Sequence, residues 1–212
     1  MKINRDELIK SLKGFSINDN GIIIGKPGVG KSFLLKELRK TLFEDNILSF
    51  IIRIDRTFDF SDEAITEELE FENNWLDTLK NIYLKNGQKA ILIFDAFDAA
   101  RDEAIRKGFL RQIQKAINQL SEKCIVIVSA RTYDALKSSD LINLFPLDKS
   151  DFSSVSCRKF EVRELENQEI IESIKDNPQL LKFYNESNPE LKQILKIPFF
   201  LILFRTPDLH AN

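Results

Sequence analysis

Gly25-Lys26-Pro27-Gly28-Val29-Gly30-Lys31-Ser32 fits the pattern G-x-x-x-x-G-K-[ST] at every fixed position. So short a pattern recurs by chance, and its flanks decide what it means. Asn20-Gly21 reads as a turn, and Ile22-Ile23-Ile24 as a short buried strand. Behind the pattern, Leu34, Leu35, Leu38 and Leu42 fall at helical spacing. Strand, glycine loop and helix in that order make a phosphate cradle. Glycines let the backbone turn its N–H groups inward where side chains would block the approach. The following helix adds the positive end of its dipole. In that setting Lys31 reaches β and γ phosphates, and the Ser32 hydroxyl can ligate Mg²⁺.

Working outward, Asp6 to Leu12 carries Leu8, Ile9 and Leu12 on one helical face. Ile47 to Ile54 is rich in β-branched residues and predicts a second strand that ends at Asp55, with a loop over 57–61. A weak acidic helix capped by Ser61 or Asp62 runs to Leu69. A firmer one carries Trp75, Leu76, Leu79, Ile82 and Tyr83 and stops at Asn86-Gly87. Ala90 to Phe94 is a continuous apolar run closed by Asp95, as expected of a central parallel strand covered on both faces. A long helix follows Asp102, with Ile105, Phe109, Ile113, Ile117 and Leu120 on one face; its Arg106, Lys107, Arg111 and Lys115 read as a solvated face. Ile125 to Val128 predicts a fourth strand, Leu136 to Leu144 a helix, and Lys159 to Val162 a fifth strand.

The alternation predicts an α/β fold, a P-loop NTPase with a five-stranded, mainly parallel sheet flanked by helices. After Arg163 the pattern turns helical. Asn177-Pro178 and Asn188-Pro189 each pair a capping residue with a proline suited to the first turn. The chain therefore divides into a core, 1–163, and a small C-terminal helical lid, 164–212, with a polar tail from Arg205.

Composition bounds the function. The 212 residues carry 43% hydrophobic and 30% charged residues, the make-up of a globular chain with a core. A net charge of -2 gives no general attraction to nucleic acid or to an anionic membrane, although local basic surfaces stay open. The first residues lack the apolar stretch of a signal peptide, and Ile197 to Phe204 is too short to span a bilayer, so a cytoplasmic protein is expected. Cys124 and Cys157 have no metal spacing, and His210 is the only histidine, which disfavours histidine-based metal or acid–base chemistry.

Three further residues carry chemistry. Asp95, at the end of a buried strand, can hold Mg²⁺ beside the phosphate loop. Asp98, three positions on, can orient an attacking water or cap the helix that follows. Arg131 sits where the fourth strand ends, beside strands one and three; it can sense a γ-phosphate or lie on the surface.

Together these residues resemble the STAND class of signalling NTPases, near the NACHT and AP-ATPase groups in the AAA+-like branch. Ile3-Asn4-Arg5-Asp6-Glu7-Leu8 is similar to a motif ahead of the first strand that touches adenine, with Asn4 in place of a glycine. Ile91 to Asp98 resembles the metal-binding strand, Ile125 to Arg131 the strand ending in a sensor arginine, and Pro198 the proline of the lid. The resemblance implies a slow ATPase switch that binds ATP or ADP with Mg²⁺. Its catalytic residues are Lys31, Asp95, Asp98 and Arg131, and its metal ligands Ser32 and Asp95. Its nucleotide contacts are Gly25, Lys26, Pro27, Gly28, Val29, Gly30, Lys31, Ser32, Phe33, Ile3, Arg5 and Pro198. Ala99 stands where many relatives carry a second acid, so fast hydrolysis does not follow. The absence of an N-K-x-D motif fits adenine rather than guanine. The resemblance also implies nucleotide-dependent self-association, effector or sensor domains outside this segment, and a role in bacterial defence against phage. The alternatives are an AAA+-like motor acting on nucleic acid and a non-hydrolysing, nucleotide-bound scaffold.

Overall fold

The computed structural model describes residues 3–57, 59–100, 102–147 and 157–205. Parts of the loop expected over 57–61 and of the tail expected from 205 lie outside these residues.

Five strands form one sheet: β1 (Gly21–Gly25), β2 (Ser49–Arg53), β3 (Ala90–Asp95), β4 (Cys124–Arg131) and β5 (Lys159–Glu161). Their order is β2-β3-β4-β1-β5, and every pairing is parallel. The continuous apolar runs follow from burial on both faces, because successive strand residues point to opposite sides. Ile22, Ile24, Leu92, Phe94, Val126 and Val128 pack on one side against α4 (Trp75–Asn86) and α5 (Glu103–Leu120). Ile23, Ile91, Ile93, Ile125 and Ile127 pack on the other against α1 (Asp6–Ser16) and α2 (Lys31–Glu44).

Local chemistry sets the helix ends. Ser61 caps the short α3 (Asp62–Glu68) by accepting from the Ala64 N–H. Asn74 caps α4, and Gly87 ends it at φ 65°, a left-handed conformation suited to glycine. Asp102 caps α5, accepting from the Ile105 N–H at 2.8 Å, so the capping role open to Asp98 belongs to Asp102. Two expectations change. The helix predicted over 136–144 is two, α6 (Thr132–Lys137) and α7 (Ser139–Leu144), because Ser138 adopts an extended conformation and caps the second. The fourth strand also runs three residues further than Val128, since Gly21–Gly25 of β1 pairs with it as far as Arg131.

The C-terminal helices are α8 (Asn167–Ile174), α9 (Pro178–Glu186), α10 (Pro189–Leu195) and α11 (Pro198–Phe204). Asn177 and Asn188 cap α9 and α10 ahead of their prolines, as their spacing predicts. Leu165, Ile170, Ile174, Tyr184, Leu195 and Leu201 form a separate small core with Ile3.

Candidate active site

The ends of β1, β3 and β4 meet at one edge of the sheet, where Gly25 lies in register with Arg131. A cavity of about 520 Å³ opens there. The loop leaving β1 turns through Gly28 (φ 74°) and Gly30 (φ 92°), both left-handed, and delivers the chain into α2. No side chain caps α2 and no acidic residue lies in its first turn, so its leading N–H groups face the cavity unneutralised. That is the environment an anion requires.

Lys31 donates from Nζ to the Gly25 carbonyl at 2.8 Å and to that of Lys26 at 3.4 Å. Burial pulls its ammonium below the ordinary lysine value, and the nearby charges of Asp98 and Asp95 pull it back up. Asp95 is only 4% exposed. Its Oδ1 accepts from the Ser129 hydroxyl, which in turn accepts from the Ala96 N–H at 2.9 Å. That bond holds Ala96 at φ 60°, a conformation uncommon outside glycine. The turn it creates carries Asp98 in a 3₁₀ segment, Phe97–Ala99. Both Asp98 oxygens are engaged: Oδ1 by the Arg131 main-chain N–H and Oδ2 by Arg131 Nε, each at 2.8 Å.

Of the residues expected here, Ile3, Arg5, Pro27, Gly28, Val29, Gly30 and Lys31 line the cavity, as do Ser32, Phe33, Asp95, Asp98, Arg131 and Pro198. Gly25 and Lys26 do not. Gly25 contributes its carbonyl to Lys31, and the Lys26 ammonium turns away to Glu164 at 2.7 Å. Arg5 lies at the wall with its guanidinium engaged by protein: it donates to the Val29 carbonyl at 3.2 Å and to that of Arg163 at 2.6 Å, and Nε lies 3.7 Å from Glu169 Oε1. Sequence reasoning missed Asp55, Ser129, Phe199 and Ile202, which also line the cavity. Ser129 was the most findable of these, two residues before Arg131 and so on the same strand face.

The residues fit a Mg²⁺-nucleotide. Among the described residues, no group of three or more His, Cys, Asp or Glu side chains could hold a metal by itself. Mg²⁺ at a phosphate site takes one or two protein ligands and the rest from phosphates and water, and the Ser32 hydroxyl and Asp95 carboxylate are oxygens that would suit it. Among the same residues, no helix is long and apolar enough to cross a membrane.

No curated protein matches the chain. Among solved structures, it is similar to the Walker-type ATPase of Pyrococcus abyssi, with 16% identity over 95% of this chain and 66% of that one, at a TM-score of 0.60. It is also similar to AMPPCP-bound DnaA from Aquifex aeolicus, with 19% identity over 93% of this chain and 62% of that one, at a TM-score of 0.52. A DNA replication initiation factor gives 20% identity, 94% and 62% coverage, and a TM-score of 0.53. At such identities the likeness shows the fold, and the chain spans less than two thirds of the length of each. Residues 21–146, more than half of the chain, match the profile of the ATPase family associated with various cellular activities. With the phosphate loop, the buried Asp95 and four of the five parallel strands inside that span, the chain belongs to the AAA family of ATPases.

Proposed function

We propose that this cavity binds ATP with Mg²⁺ and hydrolyses it slowly, and that the chain is the nucleotide switch of a STAND-like signalling protein. One observation carries the ATP reading. The uncapped start of α2, the Lys31 ammonium and the buried Asp95 converge on a single cavity whose loop is shaped by left-handed glycines. In this reading the loop N–H groups and Lys31 bind the phosphates. Ser32 and Asp95 would hold Mg²⁺, which would supply positive charge to the phosphates. Arg131 meets the terminal phosphate, and Ile3, Pro198 and Phe199 give the base an apolar wall.

Slow turnover follows from the carboxylates. Asp98 is engaged on both oxygens, and Asp95 is engaged on one and assigned to the metal with the other. In this reading each carboxylate is committed to another partner, which disfavours it as the base that activates water. The switch reading rests on the STAND-like motifs and on the contact of α11 with the phosphate loop, where the Phe199 N–H donates to the Gly28 carbonyl at 3.2 Å. Effector or sensor domains, self-association and a role in defence against phage are part of that proposal.

The test is the nucleotide carried by the purified chain, followed by ATP turnover with Mg²⁺, wild type against Lys31→Ala. Slow turnover abolished by the substitution supports the reading, and unchanged ATP affinity in Lys31→Ala sinks it. Turnover stimulated by DNA would favour a nucleic-acid motor instead. Retention of ATP without turnover would favour a scaffold.

A further inference from the structure

We propose that Asp98 is a positioning residue for Arg131, aiming it at the terminal phosphate, rather than the base that activates water. The inference rests on the ATP reading of the cavity and assigns one of its residues a different task.

The carboxylate has two oxygens, and Arg131 occupies both. Its main-chain N–H meets Oδ1, and its Nε meets Oδ2. A water-activating carboxylate needs a lone pair directed at the water, and each Asp98 oxygen already spends one of its two lone-pair sites on the arginine. The attachment is rigid on the acid's side. The Asp98 side chain is 7% exposed and rides on the turn that Ala96 and Ser129 lock. The Arg131 main chain is fixed by sheet pairing with Gly25. The arginine side chain is 51% exposed. Among the described residues, its two terminal nitrogens have no hydrogen-bond partner. Asp98 therefore removes the rotational freedom of a long side chain and leaves the guanidinium's outer donors for a ligand. Guanidinium donors in a fixed fork suit a phosphate.

The two roles predict different outcomes. In the ATP reading Arg131 meets the γ-phosphate, which a diphosphate lacks, so a positioned arginine would separate ATP from ADP in binding, with no turnover involved. In Asp98→Asn, one of the two arginine donors meets an amide N–H instead of an oxygen, and the arginine loses its fixed aim. Affinities of Mg²⁺-ATP and Mg²⁺-ADP are measured calorimetrically for the wild type, Asp98→Asn, Arg131→Ala and the double variant. The expected result is that each single change lowers the ATP-to-ADP affinity ratio by about tenfold, and that the double variant lowers it no further. Asp98→Glu keeps a carboxylate but displaces the arginine, so it lowers the ratio too; it also serves if Asp98→Asn does not fold. An Asp98→Asn or Asp98→Glu protein that keeps the wild-type ratio overturns the inference, and so do additive effects in the double variant. Loss of turnover with an unchanged ratio would restore Asp98 as the base. Lys31→Ala, run in parallel, reports on the ATP reading itself: if it leaves ATP affinity unchanged, the site reading has failed and not merely the role of Asp98.

Discussion

Ser129 shows how much of the site rests on a single hydroxyl. It donates to Asp95 and accepts from the N–H of Ala96, a residue held in a left-handed conformation. Ser129→Ala removes both bonds within a buried setting. Stability should fall by about 1–3 kcal/mol, measured by urea unfolding, and turnover should need more Mg²⁺ because Asp95 loses its fixed orientation. Lys31 makes the opposite kind of prediction. Burial lowers its pKa, so the folded state binds that proton less readily than the unfolded state. The charged lysine therefore costs stability at neutral pH, and the cost fades as pH rises from the depressed folded value to the ordinary 10.5. Lys31→Met should be more thermostable than the wild type at pH 7, with the gap in melting temperature closing at alkaline pH. A gap that widens with pH would refute this. Lys31 and Asp95 were legible in the sequence because a loop pattern and a strand-ending acid are local signals. Ser129 acts on a residue 34 positions away across two strands, and nothing local reports that contact.

Elements, too, fit together through contacts that propensity does not foresee. Gly108 lies inside α5, where alanine would favour helix by about 1 kcal/mol. Yet the Phe60 ring packs on it, and an added Cβ would lie 2.3 Å from Phe60 Cγ. Gly108→Ala should therefore destabilise the chain by about 1–3 kcal/mol, as overpacking does, despite its better helix propensity. A thermal shift upward would show that the ring swings away at little cost. The same paradox surrounds Gly28. Its carbonyl accepts the Phe199 N–H at 3.2 Å, and a Cβ there would meet Phe199 Cβ at 3.0 Å. The first turn of α11 thus rests on the phosphate loop. Gly28→Ala adds strain at positive φ and a clash with Phe199 of α11, so both nucleotide affinity and the protease resistance of residues 164–205 should fall. The strands, several helix caps and the C-terminal helices were readable because each is announced by periodicity or by a capping residue, whereas the order β2-β3-β4-β1-β5 was not. The seat of α11 on Gly28 was not, since it joins segments about 170 residues apart, beyond any pattern a window detects.

At the scale of the molecule, one arginine joins the parts. Arg5 bonds the phosphate loop at Val29, the exit of β5 at Arg163, and faces Glu169 of α8, which also pairs with Arg163 at 2.6 Å. Burial lowers the pKa of its guanidinium, and the Glu169 charge offsets part of that effect. The sequence placed Arg5 at the nucleotide through its likeness to an adenine-contacting motif. In the folded chain it links the phosphate loop, the exit of β5 and α8, and its two roles make different predictions. A base contact would act on ATP and leave inorganic tripolyphosphate, which has no base, unaffected. A brace would act on both ligands, because it sets the loop that holds the phosphates. As a brace, Arg5→Ala breaks a buried charged network and should cost about 3–5 kcal/mol, read by urea unfolding. Tripolyphosphate affinity should fall in step with ATP affinity, and the C-terminal helices should be cleaved faster in limited proteolysis. Lys26→Ala is the control at the rim: its ammonium is exposed, and its bond to Glu164 is of the kind that contributes little to stability. Loss confined to ATP, with stability intact, would return Arg5 to the base. Parallel loss of both ligands would make Arg5 the fastening through which the phosphate loop and α8 hold one another in place.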